Sequence, residues 1–282
     1  MGVNYRQFWE GRTVLVTGHS GFIGGWLCLA LSRWGAKVAG YALNPPTQPN
    51  LFEIAGVSDH VDSTIADIRD LDTFTDTLRR VKPEIVLHLA AQPLVLEALR
   101  APLATIDVNV MGTAIVLEAL REAGEGVESV VLVTSDKVYR DQETPRPYIE
   151  SDRLGGHEAY GASKACAEIV AEAYDRHLRA AGRDFGLATI RGGNVIGIML
   201  IKLARCKPAK HVAQPVLRTG ITAKIINRLI HQSCFDICFC HECEMMLFGC
   251  WGCAQNQSDW PYAADKVRRF LDERQKLSFA PL

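Results

Sequence analysis

The sequence shows no excess of charge of either sign: 31 Lys and Arg stand against 32 Asp and Glu, a formal net charge of −1. That balance gives no electrostatic footprint for nucleic acid or an anionic membrane. No window is read as long and apolar enough to span a bilayer. The first residues, Met-Gly-Val-Asn-Tyr-Arg-Gln, lack the apolar stretch of a signal peptide, and Arg6 stands where a myristoylation site needs Ser or Thr. The expected compartment is therefore the cytoplasm. Cysteine is scarce at first: only Cys28 and Cys166 precede residue 198, and seven more follow it. This shift in composition separates residues 1–197 from residues 198–282.

The first of these regions alternates short apolar runs with amphipathic stretches. Strands are expected at 13–17, 37–43, 63–66, 84–89, 129–134 and 186–190. Helices are expected at 22–34, with Phe22, Ile23, Trp26, Leu27 and Leu31 on or near one face, and at 71–80, 105–122 and 158–180. This alternation predicts an α/β fold, a doubly wound parallel sheet of Rossmann type. Ligands of such sheets bind at the carboxyl ends of the strands, where Gly18, Asp67, Ala90 and Ser135 fall.

Gly18, Gly21 and Gly24 lie in Thr17-Gly-His-Ser-Gly-Phe-Ile-Gly24, between a strand and a helix. In that context the glycines let backbone approach a pyrophosphate, and the helix N-terminus favours its charge. The acidic residue expected about 20 positions on, for the ribose hydroxyls, is missing. Asn44 sits near that place. No Arg or Lys lies between Val38 and Phe52 to pair with a 2′-phosphate, which favours NAD over NADP. Asp67 and Ile68 end a later strand and are candidates for the adenine. Tyr160 and Lys164, four apart, share a helix face, where an ammonium can stabilise a phenolate.

Further runs converge on the same site: His88-Leu-Ala-Ala-Gln-Pro93, Asn109-Val-Met-Gly-Thr113 and Thr134-Ser-Asp-Lys-Val-Tyr139. With Phe8-Trp-Glu-Gly-Arg12, Tyr41-Ala-Leu-Asn-Pro-Pro-Thr47, Asp67-Ile-Arg-Asp70 and Gly193-Asn-Val-Ile-Gly197, residues 8–197 resemble the extended short-chain dehydrogenase/reductase family. The resemblance is nearest to its CDP-glucose 4,6-dehydratase branch. It implies NAD as cofactor, held by Gly18, Gly21, Phe22, Ile23, Gly24, Asn44, Asp67, Ile68, Leu89, Ala90, Ala91, Tyr160 and Lys164. It implies a nucleotide-sugar substrate, contacted by Gln92, Asn109 and Asn194. Ser135 would bond the sugar 4-hydroxyl, and Tyr160, supported by Lys164, would take its proton. Asp136 would be the acid and Lys137 the base of a water elimination. The same resemblance implies a homodimer through the helices at 105–122 and 158–180. His88, inside an apolar strand, reads as a satisfied core histidine, and Asn109 also reads as a hydrogen-bonder that shapes its helix.

After Gly197 the strand–helix alternation fails. Cys238-x-Cys240-x-x-Cys243 and Cys250-x-x-Cys253 have some zinc-like spacing. Enrichment in Cys, Trp and Met beside an abrupt loss of pattern reads instead as a shifted or rearranged frame, so no metal site is assigned. One amphipathic helix is expected from Pro261 to Leu277.

Overall fold

The computed structural model describes residues 5–141, 146 and 148–193. Asn194, the cysteine-rich run and the helix expected at 261–277 lie outside the described residues.

Six strands form one parallel sheet: β1 (Thr13–Thr17), β2 (Lys37–Ala42), β3 (Asp62–Ile65), β4 (Ile85–His88), β5 (Ser129–Ser135) and β6 (Gly186–Gly192). Their order is β3-β2-β1-β4-β5-β6. The chain direction reverses its march between β1 and β4, which opens the crevice where such sheets bind ligands. Eight helices accompany the strands among the described residues: α1 (Tyr5–Trp9), α2 (Phe22–Arg33), α3 (Leu51–Ile54), α4 (Leu71–Val81), α5 (Val95–Arg100), α6 (Pro102–Ile106), α7 (Gly112–Ala123) and α8 (Ala159–Ala180). One turn of π-helix, Asp107–Met111, joins α6 to α7. A 3-10 turn, Asp136–Val138, leaves β5.

Side-chain alternation along the strands builds two cores. Val14 and Val16 point to one face, with Val38, Ile85 and Leu87, and pack with Cys28 and Leu31 of α2. Leu15 points to the other, with Tyr41, Val86, Val130 and Leu132, and packs with Phe74, Leu117, Leu120 and Ala171 of α4, α7 and α8. Helices thus cover both faces, as a doubly wound sheet requires.

Two expectations change. The buried side of α2 is Gly24, Gly25, Cys28 and Leu31, while Phe22 and Ile23 at its first turn are exposed. Glycine, not a bulky apolar residue, lets this helix sit close to the turn before it. Second, among the described residues one helical stretch is long and apolar enough to cross a bilayer: Pro102–Ala123, with mean hydropathy 1.6. Its apolarity has a local cause, since Val116, Leu117, Ala119, Leu120 and Ala123 are buried in the core.

Candidate active site

The glycine turn closes on itself. Gly18 has φ +75°, and a Cβ there would lie 2.8 Å from the Ala90 amide nitrogen. A Cβ on Gly24 would lie 2.1 Å from the Gly18 carbonyl oxygen. Both positions therefore admit only glycine. Gly21 N-caps α2 without a side-chain cap, so the first amides of α2 remain available to an anion. Ser20 Oγ donates to the Leu43 carbonyl at 2.7 Å and ties the turn to the segment after β2, where Asn44 is exposed. This glycine turn, leading into a helix N-terminus, fits a dinucleotide pyrophosphate.

Asp67 is held by Arg69, whose Nε and Nη2 donate to its carboxylate at 2.9 and 2.5 Å. The Arg69 hydrogen bonds keep its pKa below the usual carboxylate range, against a burial cost. Arg69 also reaches Asp107 at 2.5 Å, linking the end of β3 to the π turn. Ile68 is buried, and a Cβ on Gly112 would lie 2.9 Å from its Cγ2.

A polar chain with a single direction runs beneath the cleft. Thr17 Oγ1 accepts from the Leu89 and Ala90 amides, each at 3.1 Å, so its own proton goes to His88 Nδ1 at 2.8 Å. His88 is then the Nε2–H tautomer and donates to Thr113 Oγ1 at 3.3 Å, which donates to the Asn109 carbonyl at 2.7 Å. Burial, with the nearby Lys164 charge second, depresses the His88 pKa to about 3. His88 is thus neutral and satisfied. Asn109 is buried in the π turn; its Oδ1 accepts from Gln92 N at 2.8 Å, and its Nδ2 donates to Gln92 O at 3.1 Å and Ser163 Oγ at 2.9 Å. Ser163 Oγ donates in turn to the Tyr160 carbonyl at 2.7 Å. Asn109 therefore positions the strand-end loop and α8, and its amide is committed there rather than offered to a substrate. The Gln92 amide is likewise bonded to Leu94 and Thr105.

Tyr160 stands in the first turn of α8, half-buried, and Lys164 one turn on, buried. Glu158 caps the helix, accepting from Tyr160 N and Gly161 N at 2.6 and 2.7 Å. A Cβ on Gly161 would lie 2.5 Å from the Lys137 carbonyl oxygen, so this turn packs directly on the 3-10 turn of Asp136 and Lys137. Lys164 Nζ donates to the Val133 carbonyl at 3.0 Å, and burial lowers its pKa to about 8. Ser135, the last residue of β5, is buried; it accepts from Lys137 N and donates to Asp136 Oδ1, both at 3.2 Å. Lys137 Nζ pairs with Asp136 Oδ1 at 3.2 Å, with both side chains about half exposed. The structure thus brings Ser135, Asp136, Lys137, Tyr160 and Lys164 to one end of the sheet, beside the glycine cradle.

Fold and site define a Rossmann-type dinucleotide-binding protein with Tyr160 and Lys164 one helical turn apart. Residues 14–271 match the model of the NAD dependent epimerase/dehydratase family, and the chain belongs to that family. The match runs well past Gly197, where the recognised motifs end. CDP-glucose 4,6-dehydratase of Salmonella typhimurium is 45% identical over 202 residues, covering 68% of this chain and 54% of that protein. A dTDP-glucose 4,6-dehydratase of Streptomyces venezuelae, solved with NAD, is 26% identical with TM-score 0.55, over 69% of this chain and 59% of that one. A UDP-glucose 4-epimerase of Stenotrophomonas maltophila, also solved with NAD, is 29% identical with TM-score 0.53, over 64% and 52%. The chain spans about half the length of the curated relatives it matches.

Proposed function

We propose that this chain is an NAD-dependent nucleotide-sugar 4,6-dehydratase acting on CDP-glucose. The observation that carries the reading is the Asp136–Lys137 pair, packed against the first turn of the Tyr160/Lys164 helix. The 45% identity to a CDP-glucose 4,6-dehydratase supports the same choice.

When bound, NAD supplies the hydride acceptor for carbon 4 and the hydride returned to carbon 6. Gly18, Gly21 and Gly24 would hold its pyrophosphate, and Asp67 and Ile68 would face its adenine. Ser135 Oγ orients the 4-hydroxyl, whose proton passes to Tyr160 Oη. Lys164 stabilises the phenolate by its charge. The new 4-ketone acidifies the carbon-5 proton. Lys137, as free amine, removes it, and Asp136, as carboxylic acid, protonates the leaving 6-hydroxyl; the Lys137 ammonium then gives its proton back to carbon 5 as carbon 6 is reduced.

Those two protonation states differ from the ion pair in the structure by one proton moved from Nζ to Oδ1 across 3.2 Å.

The exposed Leu96, Leu99, Leu103, Ile106, Met111 and Ile169 on and beside the helices of 102–123 and 159–180 support the homodimer reading. A second reading is an NAD-binding protein without turnover, favoured by the loss of the recognised pattern after Gly197. The test is incubation with NAD and CDP-glucose followed by mass spectrometry. Loss of one water with no net NADH supports the dehydratase; NAD binding without any conversion sinks it. Lys137→Met separates dehydration from epimerisation: it should abolish carbon-5 proton exchange and leave carbon-4 oxidation.

A further inference from the structure

Glu168 lies one turn beyond Lys164 on α8 and is buried. Arg191 of β6 grips it with a two-pronged fork: Nη2 to Oε2 at 2.6 Å and Nε to Oε1 at 3.0 Å. Thr134 Oγ1, the neighbour of Ser135, donates to Glu168 Oε1 at 2.6 Å. The same guanidinium donates to the Glu150 carbonyl at 3.0 Å and lies 4.7 Å over the Tyr139 ring, just past the Asp136–Lys137 turn. One buried pair therefore joins α8, β5, β6 and the connection between β5 and α8.

Buried ion pairs are weak stabilisers, because desolvation offsets most of their attraction. The geometry of this one points to register. Two consecutive turns of α8 hold two consecutive residues of β5: Lys164 Nζ on the Val133 carbonyl, and Glu168 on the Thr134 hydroxyl. A slip of one residue along the helix moves it about 1.5 Å and turns it about 100°, breaking both grips. The Lys164 grip, however, belongs to a group whose charge also serves Tyr160. The Glu168 grip has no such second duty.

We propose that Glu168, Arg191 and Thr134 are positioning residues that keep Tyr160 and Lys164 in register with Ser135. The proposal rests on the reading of the site as one that oxidises carbon 4.

The test compares Thr134→Val, Arg191→Lys and Arg191→Met with the unchanged full chain, loaded with NAD. Amide hydrogen exchange across 159–168 should quicken about tenfold in each folded variant. Single-turnover oxidation of CDP-glucose, followed as transient NADH absorbance, should slow about 100-fold in Arg191→Met, with KM changed less than about threefold. Arg191→Lys should recover part of that rate. A merely structural role would lower the melting temperature and leave both exchange and the single-turnover rate unchanged; that result overturns the proposal. Should Arg191→Met fail to fold, Thr134→Val is the deciding variant, because it removes one hydroxyl at nearly constant volume. Should the unchanged chain give no transient with any nucleotide sugar, the proposed reaction fails, and exchange across 159–168 alone decides the positioning role.

Discussion

Replacing Thr17 by Val isolates the polar chain under the cleft, because the two side chains have nearly the same shape. Thr17 is fully buried, so the change exposes no new surface. Its hydroxyl accepts from the Leu89 and Ala90 amides and donates to His88 Nδ1. Leu89 N keeps a second acceptor, the Thr17 carbonyl at 3.2 Å. Ala90 N and His88 Nδ1 lose their partner. Each orphan costs roughly 1–3 kcal/mol, so Thr17→Val should lose about 2–6 kcal/mol. Thr17→Ser keeps every bond and gives up one methyl, at about 1 kcal/mol. Urea unfolding should show the difference as a lower midpoint with an unchanged slope. The Ala90 amide also abuts Gly18, so NAD affinity should fall in Val and hold in Ser. If the two variants agree within about 0.5 kcal/mol, the directional chain is refuted.

Two further outcomes follow from the same geometry. Gly24→Ala places a methyl 2.1 Å from the Gly18 carbonyl oxygen, whereas Gly25→Ala comes nearest to the end of the Leu51 side chain, at 3.2 Å, with Val57 Cγ2 and the His19 carbonyl at ordinary contact distances of 3.5 and 3.6 Å. Calorimetry should find NAD binding weakened at least about 100-fold in the first and little changed in the second, since overpacking against backbone costs about 3 kcal/mol and a flexible side chain yields. Lys164 has a folded pKa of about 8, below its unfolded value of 10.5, so the unfolded chain holds the extra proton between those limits. Stability should therefore rise with pH across that window, by roughly 3 kcal/mol in total. Lys164→Met should flatten that rise in unfolding curves measured from pH 7.5 to 10.5, and an unaltered slope would contradict the burial argument.

How far the sequence carried this picture depends on the distance over which each feature is written. Buried parallel strands are short apolar runs bounded by glycine and polar residues, so all six were legible within a residue or two at each end. The site residues followed, because Gly18, Asp67, Ala90 and Ser135 each sit within two residues of a strand end. The π turn at Asp107–Met111 was not legible: no proline or glycine marks its start, and the helical pattern runs through it. Yet that turn buries the Asn109 amide against Gln92 and Ser163. The polar partnerships were hidden for a related reason. Thr17 and His88 are 71 residues apart, and Glu168 and Arg191 are 23. In sequence, each looks like an ordinary strand-end threonine, core histidine or helix-face charge. What the fold adds is the pairing, and the pairing bears on chemistry. Tyr160 and Lys164 are recognisable by their spacing alone, but spacing fixes only their relation to each other. Their relation to Ser135 is set across the seam between α8 and β5, by the Gly161 contact with Lys137, the Asn109–Ser163 bond and the Glu168 grip on Thr134.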